Sequence, residues 1–351
     1  MAGALTASAT PAARDITIDV ARGVAIVLVV LGHNSALASA APGFIDALFL
    51  FHVPLFFLLS GLTQRSHAMH VAFTRLARRL LLPFLIAALI VGALKLMTRG
   101  GSVEHWLTGV AWGTGQTLPW SHLWFLPALF LAQLTTQALH KLPGGPARWA
   151  FAAAAALLVV LSVPMARGPD LSALGFAAPV GLPWSVDLLP ACLLFVCLGA
   201  LMQNTPAVRA RVEQPLVVAA AVLLFGFSLG ARMDLNLRVF TPPALAVLAA
   251  ASGCLLALAL ARALSAVRPI AALFATLGRH TLAIFLLHVS IQKALLGFVA
   301  VPSSPFMRVL AGLATAAVAV LVSLAVSVAW EWLLSHRRPR RVIAPAREVA
   351  T

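Results

Sequence analysis

Residues Asp15–Ser35 read DITIDVARGVAIVLVVLGHNS, an apolar run carrying an arginine towards one end and a histidine towards the other. The interval between Arg22 and His33 is almost three whole helical turns. Both side chains therefore project from one face, roughly 16 Å apart along the axis. A charged residue near a bilayer centre costs about 2.5–3.5 kcal/mol on insertion scales, and such residues face a bundle interior and mark function. A titratable imidazole in line with a fixed cation, inside a membrane, points to chemistry rather than anchoring.

The rest of the chain supplies that membrane context. Of 351 residues, 61% are hydrophobic and only 10% charged, with a mean hydropathy of +0.98. No soluble domain of this length needs so much apolar surface, and the apolar runs are long and unalternating, which excludes a closed barrel. The expected fold is all-α: a polytopic transmembrane helix bundle of about ten spans. Apolar segments of spanning length fall at 16–37, 44–64, 80–97, 122–141, 149–165, 183–203, 214–231, 242–261, 280–299 and 309–334. Gly109, Gly113, Gly115 and Pro119 would break a spanning helix, so Trp106–Pro119 reads as re-entrant or interfacial. The expected organisation is a short cytoplasmic tail (1–15), one membrane domain (16–335) and a basic cytoplasmic tail (336–351).

The net charge of +15 is spread in short clusters between apolar runs, which reads as topology control rather than a nucleic-acid-binding face. With the N-terminus in the cytoplasm, 17 of the 25 Lys and Arg fall on the inner side and 7 on the outer, Arg22 lying within the first span. That asymmetry favours both termini inside. The run HRRPRR (His336–Arg341) would rest against anionic headgroups, each cation contributing about 1 kcal/mol, and serves equally as a stop-transfer anchor. Cys192, Cys197 and Cys254 are odd in number and fit no metal or redox spacing, so they read as small core residues. Arg14 and Arg22, then Gly23–Leu31 and Ala36–Ala40, imitate a cleavable signal peptide, but Asp15, Asp19 and an early interruption of the apolar stretch argue for a retained first helix.

Under this topology Arg22 could hold a phosphorylated ligand arriving from the cytoplasm, while His33, further across, could act as a base at neutral pH. Each has a plainer alternative: Arg22 snorkelling to headgroups with Asp19 neutralising it at i−3, and His33 satisfying a helix end. The second span, FLFHVPLFFLLSG (Phe49–Gly61), should kink at Pro54; His52 could line the same cavity as His33, and Ser60-Gly61 permits close helix approach. In FTRLARRLLLPF (Phe73–Phe84), Arg75, Arg78 and Arg79 stand at i, i+3 and i+4, one basic face able to grip phosphates, and also what the positive-inside rule places in any inner loop. His122 opens the fourth span among belt aromatics. His288 is a buried polar group that wants a partner, and Glu331 could pair an arginine from another helix. No carboxylate-rich ligand set is visible, so no metal is expected.

Taken in order, RDITIDVARGVAIVLVVLGH, FLFHVPLFFLLSG, FTRLARRLLLPF, LWFLPALF and LGRHTLAIFLLH resemble the integral-membrane acyltransferase-3 family over approximately residues 14–335, particularly its smaller, fucose 4-O-acetylase-like members. The resemblance implies about ten transmembrane helices in a bacterial inner membrane. It also implies transfer of an acetyl or other acyl group from acyl-CoA to a carbohydrate hydroxyl. Matching positions make Arg22 and His33 the essential pair and Arg75, Arg78 or Arg79 the basic cluster that grips the donor. Acetyl-CoA would be a substrate and not a resident cofactor. The partners would be a glycan acceptor and the bilayer, with no nucleic acid. A transporter or exporter of a lipid-linked glycan is the chief competitor, against which stand the lack of visible sequence halves and the scarcity of acidic coupling residues. A purely structural membrane partner would tolerate replacement of Arg22 and His33.

Overall fold

The computed structural model describes residues 15–163, 168–176, 180–298 and 303–337. The expected tails, apart from their innermost residues, lie outside the described residues. The chain opens with α1 (Ile16–Gly32), capped by Asp15, whose carboxylate accepts from the Thr17 N–H at 3.0 Å, a cap that contributes about 1 kcal/mol. Two short helices, α2 (Ser35–Ala40) and α3 (Pro42–Phe49), lead to α4 (His52–Leu62). The kink expected at Pro54 is instead a helix boundary at Leu50–Phe51. Pro54 stands in the first turn of α4, where N–H groups have no intrahelical acceptor and its missing donor is harmless.

α5 (Met69–Leu76) passes through a π-helical turn (Ala77–Leu81) into α6 (Leu82–Arg99). α7 (Val103–Trp112) stops at Gly113 with φ +70°, so the segment expected to be interfacial or re-entrant is a short helix and a loop. A 3-10 turn (Ser121–Trp124) starts α8 (Phe125–Leu139), and α9 (Ala147–Ser162) comes next. After two further 3-10 turns (Ser172–Leu174 and Pro183–Leu188) come α10 (Leu189–Asn204), α11 (Pro206–Val212) and α12 (Pro215–Phe227). The only sheet among the described residues is an antiparallel hairpin, β1 (Arg232–Asp234) against β2 (Val239–Thr241), in the register Met233↔Phe240. α13 (Pro243–Ser265), α14 (Arg268–Arg279), α15 (Thr281–Phe298) and α16 (Pro305–Arg337) complete the chain.

Each expected apolar segment carries a helix. Among the described residues six stretches are long and apolar enough to cross a bilayer, or seven if α11 and α12, bent by 62°, make one broken span. Lipid-facing side chains such as Ile90, Phe151 and Leu223 stay exposed, as a membrane bundle requires.

α1 is the centre of the bundle: Val20, Ala21, Val24, Ala25, Ile26 and Val30 are buried, and it packs against α4, α13, α14, α15 and α16. In lipid, helices are held by close packing rather than by apolar burial, which favours small residues at crossings. Gly23 and Gly278 meet where α1 crosses α14: a Cβ on Gly278 would stand 1.9 Å from the Asp19 carbonyl oxygen. Gly61 and Gly199 do the same for α4 and α10. The three cysteines are buried and free.

Candidate active site

Two cavities lie along α1, one at the level of Arg22 and one at the level of His33. The first, about 510 Å³, is lined by Arg22, Ser60, Thr63, Gln64, Arg79 and Arg279 among others. Arg22 is held in place from two helices: Nη2 donates to Thr63 Oγ1 at 2.9 Å and Nη1 to Asp19 Oδ1 at 3.4 Å. Arg279 arrives because the Gly23/Gly278 contact lets the C-terminus of α14 lie against α1. Its guanidinium donates to Thr276 Oγ1 at 2.8 Å.

Two of the three arginines of the basic cluster after α4 share a cavity. Arg79 lines the 510 Å³ cavity and also a neighbouring one of about 270 Å³ that contains Arg75. Arg75 is engaged with His67 Nε2 at 3.1 Å, and Arg78 lines neither cavity. Arg78 and Arg79 stand on the π turn, whose i→i+5 bonds depart from the 3.6-residue period that a shared i, i+3, i+4 face assumes.

The second cavity, about 220 Å³, is lined by His33, His52, Phe49, His122, Asp234 and Asn236 among others. Three imidazoles line it, and a fourth, His288, packs behind His33 and His122. The His33 ring centroid is 6.3 Å from that of His52, 6.0 Å from His122 and 5.4 Å from His288, and His122 lies 5.3 Å from His288. Three of the four are oriented by backbone carbonyls, with Nδ1 facing Val29 at 2.9 Å for His33 and Phe285 at 2.9 Å for His288, each from the helix that carries the histidine, and Leu48 of α3 at 2.7 Å for His52. A carbonyl can only accept, so Nδ1 carries the hydrogen and the neutral ring keeps a lone pair on Nε2. Nε2 of His52, His122 and His288 is buried without a hydrogen-bond partner among the described residues.

The neighbouring residue, Asn34, fixes the position of His33. Asn34 caps α2 by accepting from the Ala36 and Leu37 N–H groups, and its Nδ2 donates to Gln292 Oε1 at 2.5 Å and the Gly312 carbonyl at 3.0 Å. Gln292 returns a bond to the Val30 carbonyl. The last turn of α1 is thereby fixed to α15 and α16.

Phe56, Phe125 and Phe285 line both cavities. Their rings are in contact, edge to face for Phe56–Phe125 with centroids 5.8 Å apart and tilted for Phe125–Phe285 at 5.6 Å. An aromatic collar thus separates an arginine chamber from a histidine chamber.

The far wall of the histidine chamber is the hairpin. Arg238, at φ +57°, closes its turn. The guanidinium is almost fully buried and donates to Asp187 Oδ2 at 2.9 Å, Gln116 Oε1 at 3.0 Å and the Asn236 carbonyl at 2.8 Å. A buried pair of this kind is costly to break, about 3–5 kcal/mol when one partner is removed, so the hairpin is held firmly to the segments around Gln116 and Asp187. Burial raises the Asp234 carboxyl above its usual range, against the opposing influence of the Leu237 N–H, His33 and Arg238. Among the described residues no group of three or more His, Cys, Asp or Glu is arranged to hold a metal ion.

The acyltransferase-3 family model, described as an acyltransferase domain, matches residues 15–329. The chain belongs to the acyltransferase-3 family. It is also similar to the nodulation protein NolL of Sinorhizobium fredii (strain NBRC 101917 / NGR234), 28% identical over 179 residues. The match covers 45% of this chain and 45% of that protein, so the chain spans less than half the length of the curated relative it matches. No solved structure matches.

Of the residues singled out in this acyltransferase from sequence, Arg22, Asp19, Arg79 and Ser60 gather at the arginine chamber, and His33, His52 and His288 at the histidine chamber. Ser60 donates to the Phe57 carbonyl at 2.7 Å. Glu331 lies away from both chambers, largely exposed, with Oε1 3.6 Å from His280 Nδ1 rather than beside an arginine.

Four residues at the chambers do not stand out in the sequence as site residues. His122 reads there as a belt residue; a polar residue at the head of an apolar span, as at His288, is the available signal. Arg279 reads only as an inner charge, though the adjacent glycine marks a close crossing. Asp234 and Asn236 lie in a short polar loop between apolar segments, one of the few places where an acid occurs in a chain with 10 Asp and Glu.

Proposed function

We propose that this acyltransferase moves an acyl group, most simply acetyl, from acyl-CoA to a hydroxyl of a carbohydrate or surface glycan, in a bacterial inner membrane with both termini in the cytoplasm. The observation that carries this reading is the pair of chambers meeting at one collar, cationic at one end and basic at the other. Acyl-CoA enters from the cytoplasm and its phosphates are held by Arg22, Arg79 and Arg279, with Arg75 and Arg78 drawing it in from the surface. The pantetheine arm, comparable in length to the Arg22–His33 separation, passes the phenylalanines and presents the thioester to the histidines.

The acceptor hydroxyl then attacks the thioester carbonyl. Its proton goes to His33 Nε2, the carbon–oxygen bond of the ester forms, and the carbon–sulfur bond breaks with its electron pair going to sulfur. His33 returns the proton to the thiolate, releasing CoA. The tautomer set by the Val29 carbonyl supports this role, since it leaves Nε2 as the acceptor.

The test tracks label from [acetyl-14C]-CoA into glycan in membranes containing matched amounts of wild type, His33→Ala or Arg22→Ala. We expect His33→Ala to lose 10²–10⁴-fold, the usual range for a general base, and Arg22→Ala to recover at high acyl-CoA. Equal labelling in all three removes the site. Absence of labelling with several donors and acceptors favours a transport function instead.

A further inference from the structure

Acyl transfer by His33 uses the imidazoles of the second chamber and leaves its hairpin wall without a task. Among the described residues, Asp234 and Asn236 are the only carboxylate and carboxamide lining that chamber, and most of the remaining wall, from Phe49 and Val53 to Trp124 and Phe285, is aromatic or apolar. Neither is a chance exposure at a surface. The hairpin strands are paired, Met233 and Leu235 are buried on either side of Asp234, and Arg238 ties the loop to two other segments. Asn236 is set against Gly115, where a Cβ would collide with its side chain, and its Oδ1 is buried without a hydrogen-bond partner among the described residues.

A carboxylate and a carboxamide beside aromatic rings are the chemistry of sugar recognition. The polar groups accept hydroxyl hydrogens while the rings cover C–H faces. A carboxylate also rejects a second anion, because like charges in a poorly solvated cavity repel strongly.

We propose that the hairpin loop Asp234–Leu237 is the acceptor-recognition element, selecting a neutral polyhydroxylated ring over an acidic one. Asp234 accepts a hydrogen bond from a hydroxyl neighbouring the one that His33 deprotonates, and Asn236 engages the next. Arg238 touches no ligand and acts by positioning the loop. This assignment rests on the acyl-transfer reading for the identity of the reacting hydroxyl, and on the cavity alone for the sugar.

The test uses the purified full-length protein in lipid nanodiscs, with thermal unfolding monitored as two kinds of ligand are titrated. The probes are CoA and the methyl glycosides of glucose, galactose, mannose, rhamnose and fucose, with methyl galacturonide as the acidic counterpart. A ligand that binds only the folded state raises the midpoint. We expect at least one neutral glycoside and CoA to stabilise the wild type. Asp234→Asn should weaken glycoside binding tenfold or more, and Asn236→Ala several-fold, each with the CoA response unchanged; that unchanged response also certifies the fold of each variant. Methyl galacturonide should bind Asp234→Asn better than wild type. Glycoside affinity equal in wild type and both variants, or no stabilisation of wild type by any neutral glycoside, overturns the proposal. Asp234-dependent sugar binding without transfer from acetyl-CoA would keep this site and remove the acyl-CoA reading. Transfer that persists in Asp234→Asn with an unchanged acceptor KM would do the reverse.

Discussion

At the scale of single residues, the arginines sort by whether they reach a chamber. Arg22, Arg79 and Arg279 do, and Arg78 does not. Charge-assisted hydrogen bonds contribute about 1.5–3 kcal/mol, or roughly tenfold to a hundredfold in affinity. Arg279→Ala should therefore raise the KM for acyl-CoA by about that factor, while Arg78→Ala leaves it within twofold. Steady-state kinetics at saturating acceptor decides this, and equal effects of the two would mean that the cluster works only as diffuse charge. The pairing of Arg22 with His33 was legible from spacing alone, because a helix of known pitch fixes both on one face. The partners were not. His122, Arg279 and Asp234 come from chain positions 89 to 246 residues beyond His33 or on other helices, and only the tertiary crossings bring them near. Arg78 lines neither cavity, and the π turn on which it stands with Arg79 is not foreseen by spacing on an ideal helix.

Among elements, the crossing of α1 with α14 decides the shape of the arginine chamber. Its closeness depends on two glycines, Gly23 against the Phe274 carbonyl and Gly278 against the Asp19 carbonyl. Gly278→Val should force the helices apart, lowering stability by about 1–3 kcal/mol as overpacking does and weakening CoA binding tenfold or more by carrying Arg279 away from Arg22. Gly226→Val on α12, where a Cβ meets nothing within 4 Å, is the matched control and should change neither. Denaturation midpoints with and without CoA give both readouts; a full CoA response in Gly278→Val would show that the crossing does not set the chamber. The helices themselves were readable, since an apolar run in lipid has few alternatives to α-helix. Their interruptions were not. Proline at position 54 suggested a kink, whereas the chain breaks just before it and lets the ring occupy a first turn. The hairpin, only three residues to a strand, is too short for any alternation to announce it.

For the whole molecule, the cation distribution predicts that the arginine chamber opens to the cytoplasm and the hairpin lies on the opposite side. Single cysteines at exposed positions test this, because Cys192, Cys197 and Cys254 are buried and contribute little background. Arg232→Cys should react with a membrane-impermeant maleimide in intact cells, and Arg78→Cys only after permeabilisation. The opposite pattern would invert the arrangement. If the two chambers do face opposite sides, the phenylalanine collar has a second duty. A catalyst open at both ends is one constriction short of a pore, and in an energised membrane a water-filled path past Arg22 and the imidazoles would dissipate the proton gradient. A ring of apolar groups gates by dewetting. In that arrangement Phe56, Phe125 and Phe285 would insulate the membrane between turnovers, yielding to the proposed thioester arm while refusing hydrated ions.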